Sequence, residues 1–221
     1  MLDRYEWLSR LAQKIPDDAL VMSTMIGAVA FEWGAITKEH PRTCMLGLMG
    51  DVIGMAIGLA LALPHRKVIC LDADGSVLLE LGQLIALGQE APKNLVVFVV
   101  DNQVYESIGT TRGARPRPTA TARKADIAAL ALASGVPYAK NIKSMDELER
   151  ELSVAFTELG CRLINVRTRI GHSNAPPRQI DGFEDKYRFV RHVEQLENIT
   201  IMTRQIQDRK LMAKRADKAI E

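Results

Sequence analysis

Short runs of consecutive apolar residues alternate along this chain with longer segments in which apolar positions recur every three or four residues. The short runs have strand length and are apolar throughout, the mark of strands buried on both faces, and the longer segments carry the helical period. Tyr5, Leu8, Leu11, Ala12 and Ile15 line one face of an opening helix that stops before Pro16. Residues 19–23 read as a strand, 26–37 as a helix, 43–46 as a short strand and 52–63 as a helix of small residues. Residues 68–72 follow as a buried strand, 78–89 as a helix and 95–101 as the strongest strand of the chain. A helix over about 126–134, a strand near Tyr138, a helix opened by the Ser144/Glu147 capping box and ended before Gly160, and a strand over 163–166 complete the alternation. Strands separated by helices in this way predict βαβ units and therefore an α/β fold with a mostly parallel central sheet flanked by helices.

Two stretches depart from the pattern. Residues 103–121 are irregular and rich in Gly, Pro and Arg, and a loop of that length in a compact domain is usually functional or flexible. After Gly171 the period changes: 173–185 reads as a Pro-containing connector, and Tyr187 opens a polar helix rich in Lys, Arg and Gln. The expected organisation is one domain over 1–172, followed over 173–221 by a connector and a C-terminal helical tail that serves as a partner-docking appendage.

Composition narrows the picture further. With 221 residues, 47% hydrophobic and 25% charged, the chain can bury a sizeable core. A formal charge of +2 argues for neither a nucleic-acid nor a membrane-surface partner. The longest apolar run, 52–63, is too short to span a bilayer, and the opening residues Asp3, Arg4 and Glu6 predict no secretory leader. Cys44, Cys70 and Cys161 lie in apolar runs, so buried thiols in a reducing, cytoplasmic compartment are expected.

The chemistry sits in three segments that each follow a strand: Gly47-Leu48-Met49-Gly50, Asp72-Ala73-Asp74-Gly75-Ser76 and Asp101-Asn102-Gln103-Val104. In an open parallel sheet ligands bind beyond the carboxyl ends of the strands, so the three segments are expected to converge on one crevice. Asp74 and Asn102 offer a carboxylate and an amide oxygen, donors that suit a hard cation such as Mg²⁺, whose shell is commonly completed by phosphate oxygens. The backbone N–H groups of Gly75 and Ser76, opening a helix, suit an anion, and Gly75 lets the backbone come close. Taken alone, Asp74-Gly75 reads more readily as an ordinary βα turn; its pairing with Asn102 after the next strand favours the site.

The Asp-x-Asp-Gly-Ser segment followed by Asn102 resembles the diphosphate-binding motif of thiamine diphosphate enzymes, and Gly47-x-Met49-Gly50 resembles the loop that grips the cofactor's aminopyrimidine in that superfamily. The run from Met45 to Gly109 most resembles the sulfopyruvate and phosphonopyruvate decarboxylases, above all the separate beta subunit of the former. The resemblance implies a single three-layer thiamine diphosphate-binding fold. It makes Asp74, Asn102 and the Val104 carbonyl ligands of Mg²⁺, and it puts Gly75 and Ser76 on diphosphate oxygens. It has the Gly47 carbonyl accept from the cofactor's amino group and makes Met49 the wedge that bends the cofactor, although a core methionine is the plain alternative there. Leu48 and Tyr105 complete the implied cofactor-binding set. Ala73 departs from the usual first glycine of the motif, a change expected to be tolerated if its φ is negative, and the loop Tyr105-Glu106-Ser107-Ile108-Gly109-Thr110 departs where substrate would be read.

Family members also need a glutamate on the pyrimidine ring, carried by a separate pyrimidine-binding domain. The motifs in this chain are all those of the diphosphate-binding half, so no catalytic residue is assigned within it. The expectation is a pyrimidine-binding alpha-type partner subunit in a hetero-oligomer, α2β2 or larger, acting on a small 2-oxo acid and releasing an aldehyde by non-oxidative decarboxylation. An acetolactate synthase-like carboligase, another thiamine-dependent lyase, and a non-catalytic regulatory subunit keeping the fold are the alternatives. A Rossmann dinucleotide binder is disfavoured, because Gly47, Gly50 and Gly54 have the wrong spacing. Arg112, Arg115, Arg117, Arg123 and Lys124 could bind the distal anion of a substrate or simply be solvated. His172 and His192 are expected at the surface or in docking, and Glu106 receives no definite task.

Overall fold

The structure, a computed structural model, describes residues 1–25, 27–106, 116–171 and 173–202. Its centre is a six-stranded sheet in the order β2-β1-β3-β4-β8-β7, with β1 Leu20–Thr24, β2 Thr43–Leu46, β3 Val68–Ala73, β4 Leu95–Asp101, β7 Ala139–Ile142 and β8 Arg162–Arg167. Every neighbouring pair runs parallel.

Side chains alternate across the pleat, so each strand supplies two cores. Leu20 and Met22 of β1 and Val97 and Val99 of β4 face one core, while Val21, Val96, Phe98 and Val100 face the other. Helices α3 (Val52–Ala62), α5 (Gly82–Glu90), α6 (Ile127–Ala133) and α8 (Gly182–Glu197) cover the first face through Ile53, Leu84, Ile127 and Phe189. Helices α1 (Arg4–Lys14), α2 (Ala28–Thr37) and α7 (Met145–Thr157) cover the second through Trp7, Leu8, Trp33 and Leu148. The predicted three-layer α/β architecture is present.

The winding decides where a ligand can enter. From β1 the chain crosses by α2 on the second face to β2, then returns by α3 on the first face to β3 on the far side of β1. The connections part at the carboxyl edge between β1 and β3, which makes that edge a topological switch point.

Four local readings need correction. The helix expected over 78–89 is two helices, α4 Asp74–Leu79 and α5 Gly82–Glu90. Val77, Leu84 and Leu87 still lie on one helical stripe, so the period does not mark the break at Glu80. The stretch 103–121 is not wholly irregular: β5 Val104–Tyr105 and β6 Arg117–Pro118 pair antiparallel, and a 3₁₀ turn follows at Ala120–Ala122. The helix expected from residue 26 begins at Ala28, and residue 26 itself lies outside the described residues. Finally, the connector ends sooner than read, because Asp181 caps α8 by accepting from the amides of Phe183 and Glu184.

Helix α8 is packed into the body rather than suspended from it. Phe189 and Val193 are buried in the first core, and the Asp185 carboxylate accepts from the Met45 amide of β2 at 2.6 Å. Residues 203–221 of the expected tail, with His172 and the loop arginines Arg112 and Arg115, lie outside the described residues. The three thiols are free and buried, and burial pushes Cys44 up to about 11, Cys161 up to about 12 and Cys70 well above the ordinary range. Among the described residues no helix is long and apolar enough to cross a membrane.

Candidate functional site

A cleft of about 440 Å³, counting the space at its mouth, opens at the switch point. Thr24, which ends β1, and Gly27 to Val29 form one wall, and Ala73, which ends β3, and Asp74 to Ser76 form the floor. Asn102, Val104, Tyr105 and Glu106, after β4, close it together with Met49. Of the residues singled out in the sequence, Met49, Asp74, Gly75, Ser76, Asn102, Val104 and Tyr105 all line this cleft. Gly47 and Leu48 do not, and both are exposed beside it.

The floor is built by the end of β3 turning directly into α4. Ala73 has φ −115°, so a residue with a Cβ fits where a glycine is usual, as anticipated. Gly75 has less room: a Cβ there would lie 2.6 Å from the Tyr105 ring, so only glycine lets the ring lie over this backbone. Gly50, at φ +93°, turns the preceding loop so that its N–H donates to the Ser76 hydroxyl at 2.9 Å, joining the first two motif segments.

Asp74 is buried, and its Oδ2 accepts from Thr119 Oγ1 at 2.6 Å and lies 3.0 Å from Thr121 Oγ1. Thr121 Oγ1 is also 2.8 Å from Asp101 Oδ1, and one hydroxyl proton cannot serve two carboxylates at once. Asp101 is compensated elsewhere, by Asn165 Nδ2 at 2.9 Å and Arg167 Nε at 3.3 Å. Among the described residues Asp74 has no cationic partner. Burial, with the nearby charge of Asp101 adding to it, pushes Asp74 up to about 6 despite the threonine hydroxyls. Asp72 behaves likewise: its Oδ1 accepts from the Ala73 amide, its Oδ2 has no partner among the described residues, and burial pushes it up to about 7. A divalent cation beside Asp74 would reverse that shift by favouring the carboxylate.

Asn102 follows β4 in a tight turn whose next residue, Gln103, takes the left-handed conformation at φ +67°. Its Oδ1 accepts from the Val104 amide at 3.0 Å and its Nδ2 donates to Glu106 Oε2 at 3.2 Å. A carbonyl oxygen has two lone pairs, so Oδ1 keeps one after the Val104 contact.

The donor set therefore fits a magnesium diphosphate. A carboxylate, an amide oxygen and the nearby Val104 backbone are hard ligands, and the Gly75 cradle would be filled by any larger residue. Among the described residues no three His, Cys, Asp or Glu side chains gather to make a full cage. A cation here would thus need oxygens from its ligand, as Mg²⁺ commonly does.

Several residues of the site carried no signal in the sequence. Thr119 and Thr121 sit in the stretch read as irregular, where nothing marks their hydroxyls for Asp74. Glu106 lies between Asn102 and Arg4 of α1, which is itself held by Glu32 of α2. The described basic residues Arg117, within β6, and Arg123 and Lys124, beyond it, are exposed and outside the cleft. His192 is on α8, its ring set edge-on to His40 at 5.6 Å, away from the cleft.

Comparison with known proteins places this geometry in context. The family described as thiamine pyrophosphate enzyme, C-terminal TPP binding domain, matches residues 22–166. Phosphonopyruvate decarboxylase of Streptomyces viridochromogenes is 36% identical over 164 residues, covering 74% of this chain and 39% of that protein. Sulfopyruvate decarboxylase subunit beta of Methanococcus maripaludis is 30% identical over 193 residues, covering 87% of this chain and 98% of that subunit. Among solved structures, a thiamine diphosphate-dependent 4-hydroxybenzoylformate decarboxylase of Rhodococcus jostii RHA1 shares the fold with a TM-score of 0.57 at 20% identity, over 78% of this chain and 33% of that one.

Proposed function

The chain belongs to the thiamine pyrophosphate enzymes through their C-terminal TPP binding domain, and from that premise we propose that it is the diphosphate-binding subunit of a thiamine diphosphate- and Mg²⁺-dependent 2-oxo acid decarboxylase of the sulfopyruvate/phosphonopyruvate type. The observation that carries the proposal is the convergence of Asp74, Gly75, Ser76 and Asn102 on one cleft at the switch point of the sheet.

In this reading Asp74 Oδ, Asn102 Oδ1 and the Val104 carbonyl hold Mg²⁺, and the amides of Gly75 and Ser76 hold the diphosphate. Met49, on the cleft wall, would offer the cofactor an apolar surface, and Gly47 and Leu48, exposed beside the cleft, would contact its pyrimidine end. Thiamine diphosphate supplies, when bound, the electron sink that loss of carbon dioxide from a 2-oxo acid requires. This chain's own part is to fix the anionic end of that cofactor, exclude water around it and leave its reactive end at the mouth of the cleft.

The activity of the assembled enzyme needs a second polypeptide in the same reading. The relative that this chain matches over nearly its whole length is called a beta subunit, which supports a pyrimidine-binding alpha-type partner carrying the required glutamate, in an α2β2 or larger assembly. The cytoplasm, where Cys44, Cys70 and Cys161 stay reduced, is the proposed compartment.

Calorimetric titration of the assembly with thiamine diphosphate, with and without Mg²⁺, tests the site. Binding is expected only with the cation, and binding that ignores the cation would refute the assignment. Carbon dioxide release from sulfopyruvate, phosphonopyruvate and simple 2-oxo acids then tests the reaction, with none expected from this chain alone.

A further inference from the structure

An asparagine amide is nearly symmetric in shape and opposite in chemistry at its two ends, one accepting and the other donating. Which end meets a cation therefore decides whether the residue can be a ligand at all. Around Asn102 two contacts make that choice: the Val104 N–H donates to Oδ1 at 3.0 Å, and Nδ2 donates to Glu106 Oε2 at 3.2 Å. Turning the amide over would set its oxygen against a carboxylate and its NH₂ against an N–H, two repulsions in a buried place.

Glu106 is itself held from behind. Arg4 Nη1 donates to its Oε2 at 3.0 Å, and the Gly171 amide approaches its Oε1 at 3.4 Å. Arg4 is gripped in turn by Glu32, through Nε at 2.7 Å and Nη2 at 3.2 Å, and it also donates to the Gly171 carbonyl. All three charged side chains are at most 7% exposed, so these are contacts in a low-dielectric setting and not screened surface pairs. Burial alone would lower the pKa of Arg4, yet Glu32 and Glu106 more than offset it and leave it raised. The path runs from α2 through Arg4 of α1 to the cleft and joins residues 102 positions apart in sequence.

We propose that Glu106 is a positioning residue for the cation site: fixed by Arg4, its carboxylate orients the Asn102 amide so that Oδ1 faces the cation. This rests on Asn102 being a cation ligand, the reading given above.

The test is cation affinity, measured on the full chain in its native assembly with thiamine diphosphate present, by the electron paramagnetic resonance signal of free Mn²⁺. Glu106→Ala is expected to weaken Mn²⁺ binding by about tenfold or more, in the range usual for groups that orient a metal ligand. Glu106→Asp, which withdraws the carboxylate by one methylene, carries the same expectation and serves if the alanine variant does not fold. Glu106→Gln keeps an oxygen for Asn102 Nδ2 and is expected to stay within about threefold of wild type, a rescue that a charge effect or general destabilisation would not give. Melting of the same variants without cation reads the structural contribution separately. Wild-type Mn²⁺ affinity in Glu106→Ala or Glu106→Asp, with Asp74→Ala having lost it, overturns the inference alone. Wild-type affinity in Asp74→Ala overturns the cation-site reading, and the inference with it.

Discussion

Strand β4 ends on a buried asparagine at both extremities, and the two are spent differently. Before the strand, Asn94 Nδ2 reaches the carbonyls of Ala60, Leu63 and Arg66 at 3.0, 3.0 and 2.8 Å, tying down the end of α3 and the turn beyond it. After the strand, Asn102 makes one contact at each end of its amide and keeps a lone pair toward the cleft. The two N–H donors of Asn94 are fully engaged by these carbonyls, of which Leu63's also accepts from the Arg66 amide. Asn102 shares the cleft with Asp74, which has no cationic partner among the described residues. A buried amide whose donors are used up on the backbone is architecture; one with an acceptor lone pair left over, in the cleft with Asp74 and Gly75, is a site.

The largest effect that could break this contrast is at Asp74. Asp74→Ala should reduce Mg²⁺-dependent cofactor binding by roughly 100-fold or more while circular dichroism shows the fold intact. Cofactor retention at wild-type strength would mean that the cation is held elsewhere.

Next come the two asparagines, whose substitutions should have crossed effects. Asn94→Ala should lower stability by about 2–3 kcal/mol in denaturant titration, since it leaves buried carbonyls unpaired, and should leave cofactor affinity within about twofold. Asn102→Ala should cost about 1 kcal/mol or less without cofactor but about tenfold in affinity. If both substitutions affect the same quantity, the two ends of the strand are not distinct.

Gly75 sharpens the picture on the cleft side. Gly75→Ala should weaken cofactor binding by about tenfold, because its Cβ must displace the Tyr105 ring, and adding Tyr105→Ala should restore part of the loss if that ring is the obstacle. An additive double variant would point to the cofactor's own approach instead.

The smallest effect lies away from the cleft, at His40 and His192. Burial lowers both pKa values, with the arginines around them and, for His192, its partner His40 adding to it. Below their ordinary value near 6.5 the unfolded chain takes up protons that the folded chain refuses, so this contribution to stability is present above that pH and lost as pH falls through it. His192→Phe should flatten the pH dependence of melting slightly between pH 7 and 5, with cofactor affinity at pH 7 unchanged.

The sheet and its helices were legible because their signal is local. The apolar run of β4 and the helical stripe of Trp7, Leu8 and Leu11 each lie within a few consecutive turns or positions. Asp74 and Asn102 were legible as well, since each follows a strand that periodicity had already located. What escaped the sequence depends on distance or on angle. The Arg4–Glu32–Glu106 cluster needs three elements folded together before any of its charges has a partner. Thr119 and Thr121 reach Asp74 only because β5 and β6 pair and carry them back over α4. The burial of α8 rests on Phe189 and Val193 within a helix whose other positions are mostly charged or polar, so the polar composition concealed the apolar edge that docks it.

The three cysteines have a practical consequence. Cys44 sits near one border of the sheet, Cys70 at its middle and Cys161 at the entry to β8, and none presents a reactive thiolate to solvent in the folded chain. An alkylating reagent can modify them only when the structure around each one opens. Mass spectrometry of the order in which they are labelled would therefore map, without any engineered probe, which part of the sheet lets go first.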